Sequence, residues 1–512
     1  MHHSPDAPVG DRVHSRRWAI LGILCLSVFV VIMDGTIVNI ALPTLVVDLD
    51  ASTTELQWIV EAYLLVFTGL LLAAGTLGDR FGRRRALLSG LVAFAATSVL
   101  AGTVGSAGAL IAARALMGIG AALIFPATLA ILTNVFTDPR ERAAAIGAWS
   151  GVAGLSVAAG PILGGWLLEH FWWGSVFFVN VPIVAVALVG VVLVVPESRD
   201  RATPPLDRLG AVLSIVGVTA VVLAIIEGPK WGWTAPSTLG VAAAGLAVLG
   251  AFVAWELRVE HPMLPVRIFR NLRFSAGALS ITAAFFALFG FIFLITQYFQ
   301  LIRGYGPLEA GLRSLPVAVS IAGAAVLSPK LVERIGTTKV VSAGLVSMSI
   351  GFLWVSTASA TTPYAEIVGQ MLFLGIGLGC TTAPATESIM GSLSTDKAGV
   401  GSAVNDTTRE LGGTLGVAVI GSVFNSIYLA SLRDGDVFAL LPPVARRATE
   451  DTVAAAPVVA ERLPAALAPT YLTEVSDAFL AGLSVACLVA AGVALAGAVF
   501  AARFLPARAA ED

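Results

Sequence analysis

Charge is the scarcest property of this sequence. Only 12% of its 512 residues are Asp, Glu, Lys or Arg, about half of what a soluble chain carries. That excludes an ordinary water-facing surface. Lys230, Lys330, Lys339 and Lys397 are the lysines, and none follows a glycine. The Gly-Lys-Ser/Thr phosphate loop is therefore missing, and ATP is not an expected partner. Cys25, Cys380 and Cys487 each sit alone in an apolar run. With no Cys-x-x-Cys, no paired histidine motif and no Gly-x-Ser-x-Gly, neither a metal site nor a cofactor nor an enzyme is expected. No basic patch carries interleaved aromatics, so nucleic acid is not expected either.

Apolar residues are abundant, at 57% of the chain. They fall into long runs, and about 18 consecutive apolar residues are enough to cross a bilayer as a helix. Such a helix satisfies its own backbone, which hydrocarbon cannot do for it. The runs predict spans at about 18–38, 57–77, 86–104, 108–130, 143–166, 174–195, 209–227, 237–256, 274–299, 308–328, 338–358, 365–387, 400–428 and 477–504. The expectation is an all-α integral membrane protein with fourteen transmembrane helices. Arg12, Arg16 and Arg17 precede the first run, no small-residue cleavage site follows it, and it reads as an uncleaved first span.

The basic residues orient these spans. Every second joint holds basic residues: Arg80, Arg83, Arg84 and Arg85; Arg140 and Arg142; Arg199, Arg201 and Arg208; Arg258, Arg267, Arg270 and Arg273; Lys330, Arg334 and Lys339; and Lys397. The short joints between them hold only Lys230 and Arg303. Positive charge stays in the cytoplasm. Both ends, 1–17 and 505–512, are therefore expected inside, and the long joint at 429–476 outside.

Ionisable residues within spans mark functional candidates, because they are costly there. At about 1.5 Å per residue, Asp34, Glu61 and Arg114 all fall in the outer half of the bilayer at similar depth. Asp34 and Arg114 are expected to pair if spans 1 and 4 adjoin, with Glu61 able to join them. Asp34 is read as the main proton-coupling acid and Glu61 as its assistant. Asp406, Arg409 and Glu410 form a second cluster near the midplane, either a further proton site or acids neutralised by Arg409. Asn39, Gln57, Trp58, Tyr63, Phe285, Phe289 and Tyr298 are candidates to line a substrate cavity, where aromatic rings suit flat amphipathic cations. Arg313 joins that set, although a surface or gate charge fits its position near a span end better.

The joints after spans 2 and 10 share a pattern. Leu77, Asp79, Arg80 and Gly82 match Leu331, Glu333, Arg334 and Gly336. This repeat implies six helices, two inserted, then six: a bundle at 18–195, a linker at 196–273 holding spans 209–227 and 237–256, and a second bundle at 274–504. Duplicated halves with a midplane site between them are a common transporter plan. The loop of Gly75, Asp79, Arg80, Gly82, Arg83 and Arg84 is read as a conformational latch between the halves, with simple anchoring as the alternative.

Several motifs, in order, add a resemblance. Gly75-x-Leu-Gly-Asp-Arg-x-Gly-Arg-Arg is similar to the loop signature of the major facilitator superfamily. Asp34-Gly-Thr-Ile-Val-Asn-Ile-Ala-Leu-Pro43 resembles the first-helix signature of its fourteen-helix drug:proton antiporters. Arg114-Ala-Leu-Met-Gly118 resembles the fourth-helix motif. Gly147 with Gly160, Pro161, Gly164 and Gly165 resembles the fifth-helix antiporter motif, with Ser156 where a glycine is usual. Asn180-Val-Pro182, Gly228-Pro-Lys-Trp-Gly-Trp233 and Gly399 to Arg409 also look like this family. Trp172-Trp173-Gly174 departs from its usual Trp-Arg-Trp.

The resemblance implies a major facilitator fold with pseudo-twofold halves. It also implies export of amphipathic, often cationic drugs or antibiotics against inward proton flow, with the proton as coupling ion and the cytoplasmic membrane as location. An exporter of an endogenous metabolite, lipid or siderophore, or an importer, remains open on the same scaffold. Gly160, Gly164 and Ser156 share one helix face at i, i+4 spacing, which permits close helix approach.

Overall fold

The computed structural model describes residues 9–136, 138–198, 207–260, 262, 264–390 and 398–505. Among them there are helices and no strands. The long helices are α1 (Val9–Leu49), α2 (Thr53–Phe81), α3 (Arg83–Thr103), α4 (Ala107–Val135) and α5 (Pro139–His170). The interrupted helix α6 (Ser175–Val194) follows, then α7 (Arg208–Trp231) and α8 (Pro236–Glu256). The rest are α9 (Leu272–Ile302), α10 (Pro307–Ile335), α11 (Thr337–Val355), α12 (Tyr364–Met390), α13 (Ala398–Arg433) and α14 (Ala468–Phe504). Thirteen spans among the described residues are long and apolar enough to cross a membrane. The 32-residue helix α5, which packs along α1, is not one of the thirteen. The protein is a multi-pass membrane protein.

Its outward-facing surface is apolar. Val186, Val189, Val192 and Leu193 on α6 and Leu239, Leu246 and Val253 on α8 are exposed. Such a surface suits lipid and would drive aggregation in water. Several helices run longer than their apolar runs, since polar turns continue α1, α10 and α13 past the hydrocarbon-length core.

Helices α1–α6 pack chiefly on one another, through the contacts of α1 with α5, α2 with α4 and α3 with α4. Helices α9–α14 form a second bundle through α9 with α13, α10 with α12 and α11 with α14. The pair α7–α8 is a hairpin set beside these bundles, and α7 touches both α2 and α13. The predicted repeat has a structural counterpart. Gly82 ends α2 at φ 120° and Gly336 ends α10 at φ 86°, conformations that only glycine adopts cheaply. Each then opens the next helix, with Gly82 N–H bonded to Gly78 O and Gly336 N–H to Val332 O at 2.9 and 2.8 Å.

The bundles meet mainly at the end remote from the arginines. Gln57 on α2 donates to Val417 O on α13 at 3.4 Å. Gln300 donates to Ile40 O at 3.0 Å. Leu308 N–H donates to Glu169 at 3.2 Å. The long joint between α13 and α14 caps this end as four short helical segments within 436–461. Glu474 caps the first of them through Val437 N–H and Phe438 N–H at 2.9 and 3.0 Å. Thr53 at the start of α2 donates to Asp451 O at 2.9 Å, so the cap touches both bundles.

Candidate functional site

Asp34 is fully buried on α1, and Arg114 is fully buried on α4. The two form an ion pair at 2.5 Å through Asp34 Oδ2. The other carboxylate oxygen, Oδ1, accepts from Asn180 Nδ2 at 2.8 Å. Asn180 also donates to Ser98 Oγ at 3.0 Å, and Ser98 donates to Phe177 O at 2.8 Å. Arg114 Nε donates to Ile59 O at 3.0 Å, and its guanidinium lies 4.2 Å from the centre of the Tyr63 ring. Tyr63 in turn donates to Val31 O at 3.0 Å. Five helices thus converge on one carboxylate in the interior of the first bundle. The spacing argument anticipates the Asp34–Arg114 pair. It does not reach Ser98, and it offers Asn180 only as part of a family motif; a polar side chain within an apolar run is the signal that finds both.

Glu61 does not join this group. It lies two residues from Ile59, about 200° around the helix, and so faces away from Arg114. It is fully buried, and its carboxylate lies beside the Ala418 backbone of α13 with no side-chain partner among the described residues. Its face of α2 carries Trp58 and Leu65, which pack with Val222 and Ile226 of α7 and with Leu415 and Ala418 of α13. Equal depth in the membrane does not ensure contact, because azimuth around the helix decides it.

The cluster on α13 is built differently. Asp406, Arg409 and Glu410 are only half-buried. Arg409 forms no ion pair among the described residues; it stacks 4.7 Å from the centre of the Phe285 ring on α9. Asp406 accepts from Asn405 at 3.2 Å, and Asn405 accepts from Thr386 at 2.9 Å. Phe285 and Phe289 are neighbours at 6.0 Å. Across the bundle interface, Glu410 is near enough to Tyr63 for its charge to bear on the phenol. A run of rings extends from there through the first bundle: Tyr63–Phe67 at 5.9 Å, Phe67–Phe125 at 5.8 Å and Phe125–Trp149 at 5.3 Å. Phe67, Phe125 and Trp149 do not stand out in the sequence, because apolar spans supply aromatics on every face.

Other cavity candidates lie elsewhere. Trp58 faces the α7–α8 hairpin and donates to Glu227 at 3.1 Å. Tyr298 is buried and anchors the joint after α11 by donating to Ser359 O at 2.7 Å. Arg313 pairs with Glu309 at 2.7 Å and lies between the Tyr305 and Tyr364 rings, 4.3 and 4.4 Å from their centres, as a charge near a helix end rather than a lining residue. Asn39 turns back on its own helix, to Gly35 O at 3.2 Å and Thr36 O at 3.4 Å.

The glycine motif of α5 packs on two neighbours. A methyl group on Gly164 would lie 2.6 Å from the Ile37 side chain, and one on Gly160 would collide with Thr36, both on α1. On Gly165 it would lie 2.5 Å from Leu308 Cα at the start of α10. Pro161 O lies against Gly311 of α10. Gly165 and Gly311 therefore permit backbone contact between the bundles at the end where they meet, while Gly160 and Gly164 pack α5 on α1 within the first bundle. The surroundings of Gly147 lie outside the described residues.

Among the described residues, Arg84 and Arg85 of the arginine-rich joint make their contacts within the first bundle. Glu197, just beyond α6, accepts from Arg84 N–H at 3.2 Å and lies 3.8 Å from Arg85. A side chain at Gly82 would occupy the space of the Glu197 carboxylate. Arg84 also donates to Val192 O at 2.7 Å and Arg83 to Ala130 O at 3.3 Å. Arg80 is exposed, and Gly75 makes ordinary contact with Pro126 at 3.7 Å. The Asp79 side chain lies outside the described residues. No latch to the second bundle is formed here among the described residues.

Two bundles of spanning helices, meeting around buried charge, define a membrane transporter fold. Residues 24–417 match the Major Facilitator Superfamily, and the chain belongs to that family. It is 38% identical to the "Multidrug efflux pump LfrA" of Mycolicibacterium smegmatis, over 96% of this chain and 97% of that protein. It is 36% identical to the "Tetracenomycin C resistance and export protein" of Streptomyces glaucescens, over 96% and 92%. Among solved structures it is similar to a bacterial homolog of the human lysosomal transporter Spinster, inward-facing and unoccupied. That likeness has a TM-score of 0.65 at 16% identity and covers 97% of this chain and 99% of that one. A D-xylose-proton symporter gives 0.61 at 15% identity, over 96% and 98%.

Proposed function

We propose that this protein exports amphipathic organic compounds, drugs and antibiotics among them, from the cell in exchange for protons. In this reading fourteen helices cross the cytoplasmic membrane as six, two inserted and six, with both ends in the cytoplasm. The alternation of arginine-rich and arginine-poor joints supports that orientation. The interface near Gly165 and Leu308 is then the outer gate, closed, and the substrate enters from the arginine-rich side. Alternating access reverses this by parting the glycine contacts.

The observation that carries the proposal is Asp34, a carboxylate with no water access inside a membrane-spanning bundle, held by one arginine and one amide. Burial opposes its charge and Arg114 favours it, so a small displacement of α4 against α1 suffices to bind or release a proton. Asp406 and Glu410, with Phe285 and Phe289 beside them, offer a cationic aromatic compound both a charge partner and a stacking surface. The efflux pumps among its relatives support drugs as the substrate class.

Everted vesicles with an imposed pH gradient test this. Proton release on adding a cationic dye, and uphill dye accumulation in the vesicles, are the expected results. Transport insensitive to the gradient rejects antiport, and gradient-stimulated uptake into intact cells favours an importer.

A further inference from the structure

The hydrogen bonds around Asp34 balance only for the ionised acid. Oδ2 accepts from Arg114, and Oδ1 accepts from Asn180 Nδ2 at 2.8 Å. The same Nδ2 spends its second hydrogen on Ser98 Oγ at 3.0 Å. The other end of the amide, Asn180 Oδ1, is buried and has no partner among the described residues. Buried carbonyl oxygens are rarely left so, and this one belongs to the residue that grips the acid.

A protonated carboxyl must donate one O–H. Arg114 has no acceptor, so the proton cannot settle on Oδ2 without breaking the ion pair. On Oδ1 it meets an N–H of Asn180, donor against donor. A half-turn of the amide about Cβ–Cγ exchanges Nδ2 and Oδ1 and removes the conflict at Asp34 without moving the backbone, while it carries Nδ2 into the position where Oδ1 now stands without a partner. We propose that Asn180 is a positioning residue that turns its amide when Asp34 takes a proton, donating to the carboxylate and accepting from the acid. This rests on Asp34 being the coupling acid.

The balance is simple. One proton arrives and one O–H bond forms at Asp34 Oδ1. The Nδ2–H hydrogen bond to Oδ1 is replaced by an O–H hydrogen bond to the amide oxygen. Ser98, which loses the amide hydrogen, turns its own hydroxyl from Phe177 O toward the same oxygen. The residues that face Asp34 are Arg114 from α4, Tyr63 from α2, Asn180 from α6 and Ser98 from α3. Glu410 of α13 acts only at the distance of Tyr63, and Glu61 faces away.

The experiment is ethidium export into everted vesicles, driven by an imposed gradient and measured across pH, for Asp34→Asn and three variants of Asn180. Asn180→Leu keeps the volume and loses both hydrogen-bonding roles. Asn180→Asp keeps the shape and cannot donate while ionised. Asn180→Ser keeps a group that both donates and accepts. Leu and Asp are expected to displace the pH of half-maximal export by about one unit, the size of one hydrogen bond to a charged group; Ser is expected to restore the wild-type profile. Unchanged profiles in Leu and Asp, with Asp34→Asn inactive, overturn the role of Asn180 alone. If Asn180→Leu fails to reach the membrane, the Asp profile decides. Equal loss in Ser and Leu also overturns it, while wild-type export by Asp34→Asn overturns the underlying reading instead.

Discussion

In the first bundle each oxygen of Asp34 is occupied, and every partner is itself held by a further bond to α2, α3 or α6. In the second, Asp406 and Glu410 stand one helical turn apart, half-exposed, while the nearby Arg409 lies on an aromatic ring instead of on either acid. A charge that must stay out of water needs partners from several helices at once, because an unpaired one is too costly there. A charge at the interface between bundles can leave its valences open, since water or a ligand completes them. The first arrangement suits a group that changes state with helix position. The second suits a group that receives a guest.

The comparison is broken most severely by removing Arg114. Arg114→Ala leaves Asp34 buried without its counter-charge, expected to cost about 3–5 kcal/mol of stability. Thermal unfolding in detergent reads this, and adding Asn at position 34 should recover part of the loss. Asp34→Asn keeps the volume and removes the titrating group. Gradient-driven export should fall about a hundredfold, equivalent to about 2.7 kcal/mol, for cationic and neutral substrates alike. Glu410→Gln should instead discriminate by charge: export of cationic dyes falls about tenfold, near 1.4 kcal/mol, and neutral compounds are little affected. A uniform loss in that variant would place Glu410 with Asp34 as a coupling group. The smallest effect is expected from Arg409→Met, below about 1 kcal/mol in stability, because its charge is paired with no acid. A loss comparable to that of Arg114→Ala would erase the distinction between the two clusters.

Much of this site is visible along the chain. Asp34 and Arg114 stand out as charges in apolar runs, and helix rise places them at one depth. Gly82 and Gly336 stand at matching places in a repeated pattern, and both prove to be the left-handed ends of helices. Other features escape that reading for geometric reasons. Glu61 has the right depth and the wrong azimuth. Trp58 and Tyr298 are aromatic, as a cavity wall would be, yet one faces the α7–α8 hairpin and the other a joint. Arg84 looks suited to a latch between halves, but Glu197, more than a hundred residues away, accepts from its backbone N–H and Val192 O from its side chain, both within one bundle.

By itself the sequence determined that this chain lives in a membrane, since nothing else accommodates so many uncharged runs of bilayer length. It also carried the internal repeat and the set of ionisable residues that lie within apolar runs. Only the tertiary structure decided which of those residues meet. Contact depends on helix rotation and on which helices adjoin, and spans that are apolar all round carry no stripe from which either is read. That is why the partner of Asp34 on α4 is foreseeable by depth, whereas Asn180 and Ser98 become part of the same site only when α3 and α6 close against α1.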